Sequence, residues 1–402
     1  MAALDGVRVI DLTQFEAGTS CTESLAWLGA DVIKVEKPGF GDQGRQAYGD
    51  VPEFDPYYFL LLNANKRSVT LDLKSEQGRA ILRRLSEHAD VFVENFAPGT
   101  IEHLGFDYET LREINPRLIY AQIKGFDPDG PYANFLSLDP VAQAVGGATS
   151  LTGLPDVPPM RAGPGLADTG AGLHLAIGIL AALYQRESTG HGQKVRVAMQ
   201  EAVINFCRFA YARTLESGEP FGRYGNTMGL ITAPANVYPC QPGGANDYIV
   251  IYTSRAPNAV QWDRLMDVIE RPDLKGEERF ATPEKRYAHA QEIDILLSSW
   301  TAGRTKREAM ETLASAGVPA GAVLDTLELS NDPQLRKNGT FVTVDHPQRG
   351  SFTMPGWPVR MTDSSVPIVA APLLGQQSRE VLGEVLNMEP GELDELERSA
   401  VI

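Results

Sequence analysis

The chain has 402 residues, of which 43% are hydrophobic and 22% charged, and its formal net charge at pH 7 is -16. These proportions are typical of a globular protein with room for one large core or two smaller ones. The acidic balance disfavours nucleic acid and anionic membranes as partners, because both require a basic surface. The three cysteines lie far apart, and no signal-peptide pattern is seen, so we expect a cytoplasmic protein.

Short apolar runs alternate with helical patterns along the first part of the chain, which is typical of parallel β-α-β units. The predicted strands are residues 7–12, 31–36, 68–73, 90–96 and 118–126, and the helices between them are 21–30, 76–88 and 108–113. This alternation predicts an α/β fold with a doubly wound, Rossmann-like parallel sheet. Ligands of such sheets bind beyond the carboxyl ends of the strands.

The later part of the chain has a different pattern. The predicted elements are a strand at 194–200, a helix at 201–215, strands at 233–240 and 247–253, helices at 259–269, 287–301 and 306–317, strands at 340–346 and 350–356, and helices at 375–386 and 391–399. We predict a large α/β domain over 1–215, a linker over 216–225 and a smaller α+β domain over 226–325. The C-terminal part, 326–402, is expected to return to the large domain.

One acidic residue, Asp168, stands among glycines where a long apolar helix begins. Leu173, Ile177, Leu180 and Tyr184 follow at helical spacing and predict a face that packs into a core. The unpaired N–H groups of the helix start favour an ionised carboxylate, and the glycines leave room for a ligand to approach it. Asp168 is therefore either a helix N-cap beside packing glycines or a reactive carboxylate.

Lysines and glycines recur just after the predicted strands, as at Lys37, Lys74 and Lys124. They form either a cleft for a phosphorylated ligand or a set of solvated lysines next to ordinary turns. The chain contains no Walker loop, no full G-x-G-x-x-G and no H-E-x-x-H motif. The usual nucleotide signatures are absent, and no metal site is expected.

Six blocks of the sequence together resemble the class III CoA-transferases, the CaiB/BaiF family that includes formyl-CoA transferase. In the family's order they are LDGVRVIDLT, LGADVIKVEKPGFGD, NKRSVTLDLKSEQGR, VENFAPGTIEHLGFDYETLREINPRLIYAQIKGF, LADTGAGLHLAIGILAAL and TGHGQKVRVAMQEAV. The resemblance implies an enzyme that moves CoA from an acyl-CoA donor to a carboxylic acid, with Asp168 as nucleophile. A mixed anhydride and then an aspartyl-CoA thioester would form on Asp168. The resemblance also implies an interlocked homodimer.

The same resemblance implies which residues bind CoA: Gln14, Phe15, Glu16, Ala17, Lys37, Leu71, Asp72, Leu73, Lys74, Asn95, Phe96, His103 and Met199. Lys37 and Lys74 would contact the phosphates. The acyl pocket would be lined by Glu16, Ala47, Tyr48 and Tyr58. Coenzyme A and acyl-CoA would be substrates, and no tightly bound cofactor is expected.

The chain departs from formyl-CoA transferase at several of these positions. Glu16 replaces a Gln, Ala47 beside Tyr48 replaces a Trp, His103 replaces an Arg, and Leu136–Ser137–Leu138 replaces a Lys-x-Tyr. A run of four glycines that covers the active site in that enzyme has no counterpart near 227–236. These departures predict an acyl pocket that differs from the formate and oxalate pocket and takes a bulkier group.

Glu16 adds a second carboxylate near Asp168, and it would repel an anionic acid unless it is protonated or paired with a cation. We expect either that a basic residue such as Arg45 or Arg223 pairs with Glu16, or that the acceptor acid is not small and doubly charged.

Two other functions are compatible with parts of this pattern. The 2-methylacyl-CoA racemases look similar along the sheet and are expected to use a His with the Asp, but the stretch after Lys124, GFDPDGPYANFLSLDP, contains no His. His103 or His174 would have to fold nearby instead. A catalytically inactive CoA-binding protein is the remaining alternative.

Overall fold

The computed structural model describes residues 1–227, 229, 232–253 and 260–402. The predicted helix start at Ala259 and part of the stretch 227–236 lie outside the described residues.

The chain forms two compact units. The first unit comprises residues 1–149, 161–217 and 333–402, and the second comprises 150–160 and 218–332. The domain boundaries predicted from the sequence, with a linker at 216–225, stay a prediction.

Six parallel strands form the sheet of the first unit. They are β1 (Arg8–Asp11), β2 (Asp31–Glu36), β3 (Arg67–Thr70), β4 (Val91–Glu94), β5 (Ile119–Lys124) and β6 (Lys194–Ala198). Their order in space is β3-β2-β1-β4-β5-β6, so the chain winds outward in both directions from the β1–β4 pair. The predicted parallel α/β sheet is confirmed. The crevice beyond β1 and β4 is the switch point at which such sheets bind ligands.

The helices of the chain up to residue 217 connect and cover these strands. They are α1 (Ala17–Trp27), α2 (Tyr57–Leu60), α3 (Glu76–Glu87), α4 (Thr100–Leu104), α5 (Tyr108–Ile114), α6 (Asp139–Val145), α7 (Ala148–Leu151), α8 (Leu166–Thr189), α9 (Met199–Phe206) and α10 (Arg208–Ser217). The predicted helix over 201–215 is thus two helices, and the first begins at Met199.

The long helix α8 packs through its small residues. A Cβ added at Gly172 would lie 2.6 Å from the Ala17 carbonyl oxygen, so the backbones of α1 and α8 approach closely because this position is glycine. The face predicted to be buried is instead open, with Leu173 40%, Ile177 66% and Tyr184 84% exposed. That prediction is wrong, because the close approach of the two helices selects small side chains over large ones. By length and composition α8 is the one described helix that is able to cross a membrane, and half of its most apolar stretch is buried in the fold.

The second unit contains a small antiparallel sheet in the order β7 (Ala235–Pro239), β8 (Tyr248–Tyr252) and β9 (Ala320–Ala322). Its described helices are α11 (Gln261–Val268), α12 (Pro283–Ala288), α13 (Ala290–Thr301), α14 (Lys306–Ser315) and α15 (Thr326–Ser330). Tyr238, Ile249, Leu265 and Leu297 belong to one buried core between the sheet and these helices.

The C-terminal segment belongs to the first unit. It contains α16 (Pro333–Lys337), the antiparallel pair β10 (Phe341–His346) and β11 (Gly350–Pro355), α17 (Ser378–Leu386) and α18 (Pro390–Arg398). Val381, Leu382 and Leu393 join the apolar core of the parallel sheet. The Asp72 N–H donates to the Val401 carbonyl at 2.8 Å, which attaches the chain end beside the carboxyl end of β3.

Candidate active site

The loop after β1 and the loop after β4 are tied together at the switch point. The Gln14 N–H donates to Asn95 Oδ1 at 2.8 Å, and Asn95 Nδ2 donates to the Gln14 carbonyl at 2.9 Å. Phe15 follows with a φ of 57°, in the left-handed region that favours glycine. The Asn95 side chain therefore fixes the path of the chain just before α1 begins.

A cavity of about 410 Å³ opens beside these two loops. We name it the strand-end cavity, and among its lining residues are Gln14, Phe15, Ala17, Asn95, Phe96, Asp168 and Met199. The others are Gln43, Ala97, Pro98, Ile123, Lys124, Gly125, Phe135, Leu136, Ser137 and Leu138. The structure thus brings Asp168 together with six of the residues that the sequence assigned to CoA binding.

A second cavity of about 270 Å³ contains the remaining assigned residues of the strand ends. We name it the lysine groove, and its lining includes Lys37, Leu71, Asp72, Leu73 and Lys74. Gln14 and Phe96 line both cavities. A ligand with its anionic end at the two lysines can therefore extend past these shared walls to Asp168.

Asp168 lies in the first turn of α8, and another carboxylate occupies the N–H groups there. Asp139, at the start of α6, accepts from the Ala167 N–H at 2.8 Å and lies 3.4 Å from the Asp168 N–H. Its second oxygen accepts from Gln143 Nε2 at 2.7 Å. The positive end of α8 thus faces Asp139 and is not free to stabilise the Asp168 carboxylate.

Glu16 reaches the same helix start from the other side. It occupies the N-cap position of α1, and its Oε1 accepts from the Thr169 hydroxyl at 2.9 Å. A Cβ added at Gly165 would lie 2.3 Å from Glu16 Oε1, so the glycine leaves the space that this carboxyl group fills. The starts of α1, α6 and α8 therefore bring together three carboxyl side chains, Glu16, Asp139 and Asp168, which we name the acidic trio.

Proximity and burial change the acid strength of this group. Burial, followed by the charges of Glu16 and Asp139, raises the pKa of Asp168 to about 7. Burial also raises the pKa of Glu16, with a further contribution from Asp139 and an opposing one from the Thr169 hydrogen bond. Burial and like charges thus act against the ionised form that the helix start was predicted to favour.

Only some of the residues assigned to the acyl pocket lie near the acidic trio. Burial and then the charges of Glu16 and Asp168 raise the pKa of the Tyr58 phenol, so this ring lies on the side of the acidic trio. Tyr48 is 87% exposed and contacts the edge of the Tyr58 ring at a centroid distance of 5.4 Å. Ala47 directly precedes it after a 3₁₀ turn. Only Tyr58 and Glu16 are therefore placed among the carboxyl groups.

His103 lies on α4 as an exposed residue and lines neither cavity. His174 contacts the Gly170 carbonyl oxygen through Nδ1 at 2.6 Å and Asn205 Nδ2 through Nε2 at 2.7 Å. Both ring nitrogens of His174 are thus engaged by neighbours, and it too lies outside the two linings.

The predicted pairing of Arg45 with Glu16 is wrong. Arg45 is buried, with Nε 2.7 Å from Glu36 Oε2 and Nη1 2.6 Å from Asp55 Oδ2. The buried guanidinium cannot be solvated by water, so losing either carboxylate would leave its charge poorly compensated. It is therefore not available to pair with Glu16. Arg223, in the second unit, donates to carbonyl oxygens of the 154–157 segment.

Sequence reasoning did not identify Asp139 or Thr169 as site residues. Asp139 precedes a proline at the start of a short helix, a pattern that indicates ordinary helix initiation and gives no sign of a contact with α8. Within the ranges that the structure describes, no group of three or more His, Cys, Asp or Glu side chains is arranged to hold a metal ion.

Similarity to known proteins decides the family. A sequence profile of CoA-transferase family III matches residues 4–378. The chain belongs to CoA-transferase family III. It is 43% identical over 413 residues to the formyl-CoA:oxalate CoA-transferase of Streptomyces avermitilis, covering 100% of this chain and 99% of that one. It is 42% identical over 418 residues to the enzyme of the same name from Rhodopseudomonas palustris, with 100% and 97% covered.

Solved structures agree with this assignment. A CaiB/BaiF family protein from Brucella suis matches with a TM-score of 0.84 and 33% identity, covering 96% of this chain and 99% of that one. The protein Rv3272 from Mycobacterium tuberculosis matches with a TM-score of 0.79 and 32% identity, covering 94% and 98%. The resemblance drawn from the six sequence blocks is confirmed, and the protein is a class III CoA-transferase. The racemase alternative is not favoured.

Proposed function

We propose that this CoA-transferase moves CoA from an acyl-CoA donor to a carboxylic acid with Asp168 as the nucleophile. The observation that carries the proposal is the position of Asp168 in the strand-end cavity, which shares Gln14 and Phe96 with the lysine groove. The relatives named formyl-CoA:oxalate CoA-transferase support the reaction type.

In this proposal CoA binds across both cavities. The exposed amines of Lys37 and Lys74 contact the phosphates, and the main chain of 71–74 holds the adenine. Phe15, Phe96 and the other assigned residues of the strand-end cavity surround the pantetheine arm, which brings the thioester to Asp168. His103 stays a candidate at the outer end, because its neighbour Leu104 lines the lysine groove. CoA and acyl-CoA act as substrates, and no tightly bound cofactor takes part.

The proposed reaction proceeds through two covalent species. An oxygen of the Asp168 carboxylate attacks the thioester carbonyl carbon, and the C–S bond breaks to give a mixed anhydride and CoA thiolate. The thiolate then attacks the Asp168 carbonyl carbon, which gives an aspartyl-CoA thioester and releases the donor acid as its carboxylate. The acceptor carboxylate attacks this thioester to form a new anhydride, and the released thiolate attacks the acceptor carbonyl. Acyl-CoA of the acceptor leaves, and Asp168 is restored.

The raised pKa of Asp168 has a direct consequence for this sequence. The carboxylate must be ionised to attack, and a pKa of about 7 leaves about half of it protonated at neutral pH. A carboxylate with a higher pKa is also a stronger nucleophile once it has lost its proton. The acidic trio therefore lowers the ionised fraction of Asp168 but raises the reactivity of that fraction. The apolar walls, Phe15, Phe96 and Met199 among them, keep water from the anhydride.

The identity of the acyl groups is the open part of the proposal. The relatives make formyl-CoA and oxalate the first donor and acceptor to test. Glu16, and Ala47 beside Tyr48, differ from the pattern of formyl-CoA transferase, so the acyl pocket should differ too. The lack of that enzyme's run of four glycines leads us to expect an acyl group bulkier than formate.

We also propose that the protein is a homodimer, as the interlocked family fold implies, and that it acts in the cytoplasm. Large apolar side chains are exposed on the single chain, with Ile177 66%, Tyr184 84% and Leu215 86% accessible. Exposed apolar surface of this kind marks a protein interface, and a second copy of the chain is the expected occupant. Sedimentation of the purified protein at twice the mass of one chain would support this, whereas a monomer would contradict it.

The transfer assay tests the proposal directly. The protein is mixed with a panel of acyl-CoA donors and carboxylic acids that begins with formyl-CoA and oxalate, and the new CoA ester is quantified by chromatography. Asp168→Asn keeps the shape of the side chain but removes its nucleophilic carboxylate, so we expect transfer to fall by about 10⁴-fold or more. Asp5→Asn, at an exposed residue before β1 that lines neither cavity, is the matched control. Undiminished transfer by Asp168→Asn would contradict the proposed role.

A further inference from the structure

The loop from Thr13 to Glu16 is held by side chains from three other segments. Lys34 Nζ donates to the Thr13 carbonyl at 2.7 Å. Asn95 binds both backbone groups of Gln14. The Phe15 N–H donates to Asp42 Oδ1 at 3.1 Å. The conformation of this loop is therefore imposed by side chains far away in the sequence, not by local propensity.

Asp42 is itself rigidly held. Its Oδ1 also accepts from the Gly44 N–H at 2.7 Å, and its Oδ2 lies 2.7 Å from Lys34 Nζ. Its own N–H donates to Glu36 Oε2 at 2.9 Å. The side chains of Asp42 and Lys34 are 1% and 0% exposed. Because these partners fix the Asp42 carboxylate, the oxygen that accepts from the Phe15 N–H has a fixed position.

The orientation of Phe15 determines where the next residue points. Phe15 has a φ of 57°, which a residue with a Cβ keeps only when its surroundings enforce it. Its ring borders the strand-end cavity, and Glu16, which follows, contacts Thr169 and fills the space beside Gly165. A return of Phe15 to an ordinary conformation would redirect both side chains.

We propose that Asp42 is a positioning residue for the transferase reaction. Through its hydrogen bond to the Phe15 N–H it holds that residue in the left-handed conformation and aims Glu16 at the start of α8, next to Asp168. Lys34 fixes both Asp42 and the Thr13 carbonyl. The effect on turnover rests on the proposed function, whereas the restraint of the loop does not.

Two substitutions at one position separate this role from a general contribution to stability. Asp42→Ala and Asp42→Asn both break the ion pair with Lys34, so both lower the melting temperature. Only Asp42→Asn keeps an oxygen that accepts from the Phe15 N–H. Asp55→Asn is the matched control, because Asp55 pairs with Arg45 in the same buried region but has no bond to residues 13–16.

The readouts are kcat and KM for acyl-CoA, and hydrogen–deuterium exchange of a peptide that covers residues 13–17. For Asp42→Ala we expect kcat to fall by on the order of 10- to 100-fold, the range that a small misplacement of a reacting group produces, with a smaller change in KM. Exchange in the 13–17 peptide should rise. Asp42→Asn should keep most of the kcat and the protection of this peptide, and Asp55→Asn should match the wild type in both.

Three results would overturn the proposal. Equal loss of kcat in the Ala and Asn variants would mean that Asp42 acts through stability alone. A raised KM with unchanged kcat would mean that it contacts CoA directly. Unchanged exchange in Asp42→Ala would mean that the loop does not depend on it.

If Asp42→Ala does not fold, Asp42→Asn decides the question, since lost turnover with retained protection contradicts the proposal. If the wild type transfers CoA to no acid, the proposed function fails, and exchange still tests the restraint of the loop.

Discussion

Two sets of carboxylates lie near the ends of β1 and β2, one fully buried and one partly buried, and they differ in whether each carboxylate is paired with a cation. In the first set, which we name the paired cluster, each carboxylate meets a buried cation: Asp11 with Lys66, Asp42 with Lys34, and Glu36 with Arg45. In the acidic trio the one cation within ion-pair distance among the described residues is Arg161, whose Nη1 lies 3.9 Å from Asp139 and whose side chain is half exposed.

Acid strength follows from this difference. Although burial opposes the change, Lys66 and Lys34 lower the pKa of Asp11, and Arg45 lowers the pKa of Glu36. Burial without a cation raises the pKa of Asp168 to about 7. The paired cluster therefore contributes rigidity, whereas the acidic trio supplies the carboxylate that reacts in the proposed mechanism. Perturbed carboxyl groups of the second kind are typical of functional sites.

The paired cluster is tested by removing one of its cations. Lys66 Nζ lies 3.1 Å from Asp11 Oδ2 and donates to Thr22 and Asn63. Lys66→Met removes the ion-pair partner of the buried Asp11 carboxylate, so we expect the free energy of unfolding to fall by about 3–5 kcal/mol in chemical denaturation. Arg213→Met is the control, because Arg213 pairs with Glu216 on the surface of α10, and about 1 kcal/mol or less should be lost there. Equal losses in the two variants would remove the distinction between the paired cluster and a surface pair.

The acidic trio predicts the opposite response, a gain in stability on losing its charge. Because the folded pKa of Asp168 exceeds the usual 3.8, the folded state binds the extra proton between about pH 4 and 7. The stability that this proton provides is lost as the pH rises through about 7. We expect Asp168→Asn to unfold at a free energy about 1–3 kcal/mol higher than the wild type at pH 8, with the difference vanishing near pH 4. Denaturation at both pH values measures it, and a less stable variant at pH 8 would contradict it.

The pH dependence of turnover sharpens the comparison further. If an ionised Asp168 attacks, kcat/KM should fall about tenfold per pH unit below an apparent pKa near 7 that belongs to the trio as a whole. Asp139→Asn removes one like charge, so the acid limb should move to lower pH, with a change of less than about tenfold at any one pH. An acid limb that stays in place would show that Asp139 has no electrostatic effect on the reaction.

The smallest expected effect concerns the glycine that makes room for Glu16. In Gly165→Ala the new Cβ meets the flexible end of Glu16, which can move away at a cost of less than about 1 kcal/mol. Stability should be nearly unchanged, and turnover should fall as Glu16 leaves Thr169. Gly172→Ala, whose Cβ would meet the backbone of α1, should instead destabilise the fold by about 1–3 kcal/mol. Calorimetry and the transfer assay separate the two outcomes.

The order of strands and helices was predictable because short runs rich in apolar residues alternate with helical patterns along the sequence. The cavity residues Phe15, Asn95 and Phe96 were predictable from the position of strand ends and from the family's sequence blocks. The exposed face of α8 was not, because periodicity shows which residues share a face but not which face is covered. The face of α8 that packs against α1 is formed by small residues such as Gly172, and these do not stand out in a hydrophobic pattern.

The electrostatics of the site also depended on contacts that sequence does not encode locally. Asp139 is 29 positions from Asp168, yet it accepts from the N–H groups at the start of α8 and adds a like charge beside Asp168. Arg45 was one of the two basic residues considered as a partner of Glu16, but it is paired with Glu36 and Asp55 instead. Charge pairing in a core is decided by three-dimensional neighbours, and one sequence gives no rule for choosing among several carboxylates.

The most direct test of the central claim is to trap the activated carboxylate. The protein is mixed with each acyl-CoA donor, with and without hydroxylamine, and its peptides are measured by mass spectrometry. Hydroxylamine converts an anhydride or thioester of Asp168 to a hydroxamate, so the account predicts a donor-dependent mass shift on the peptide that contains Asp168, absent in Asp168→Asn. CoA esters that bind without ever marking that peptide would contradict the covalent route.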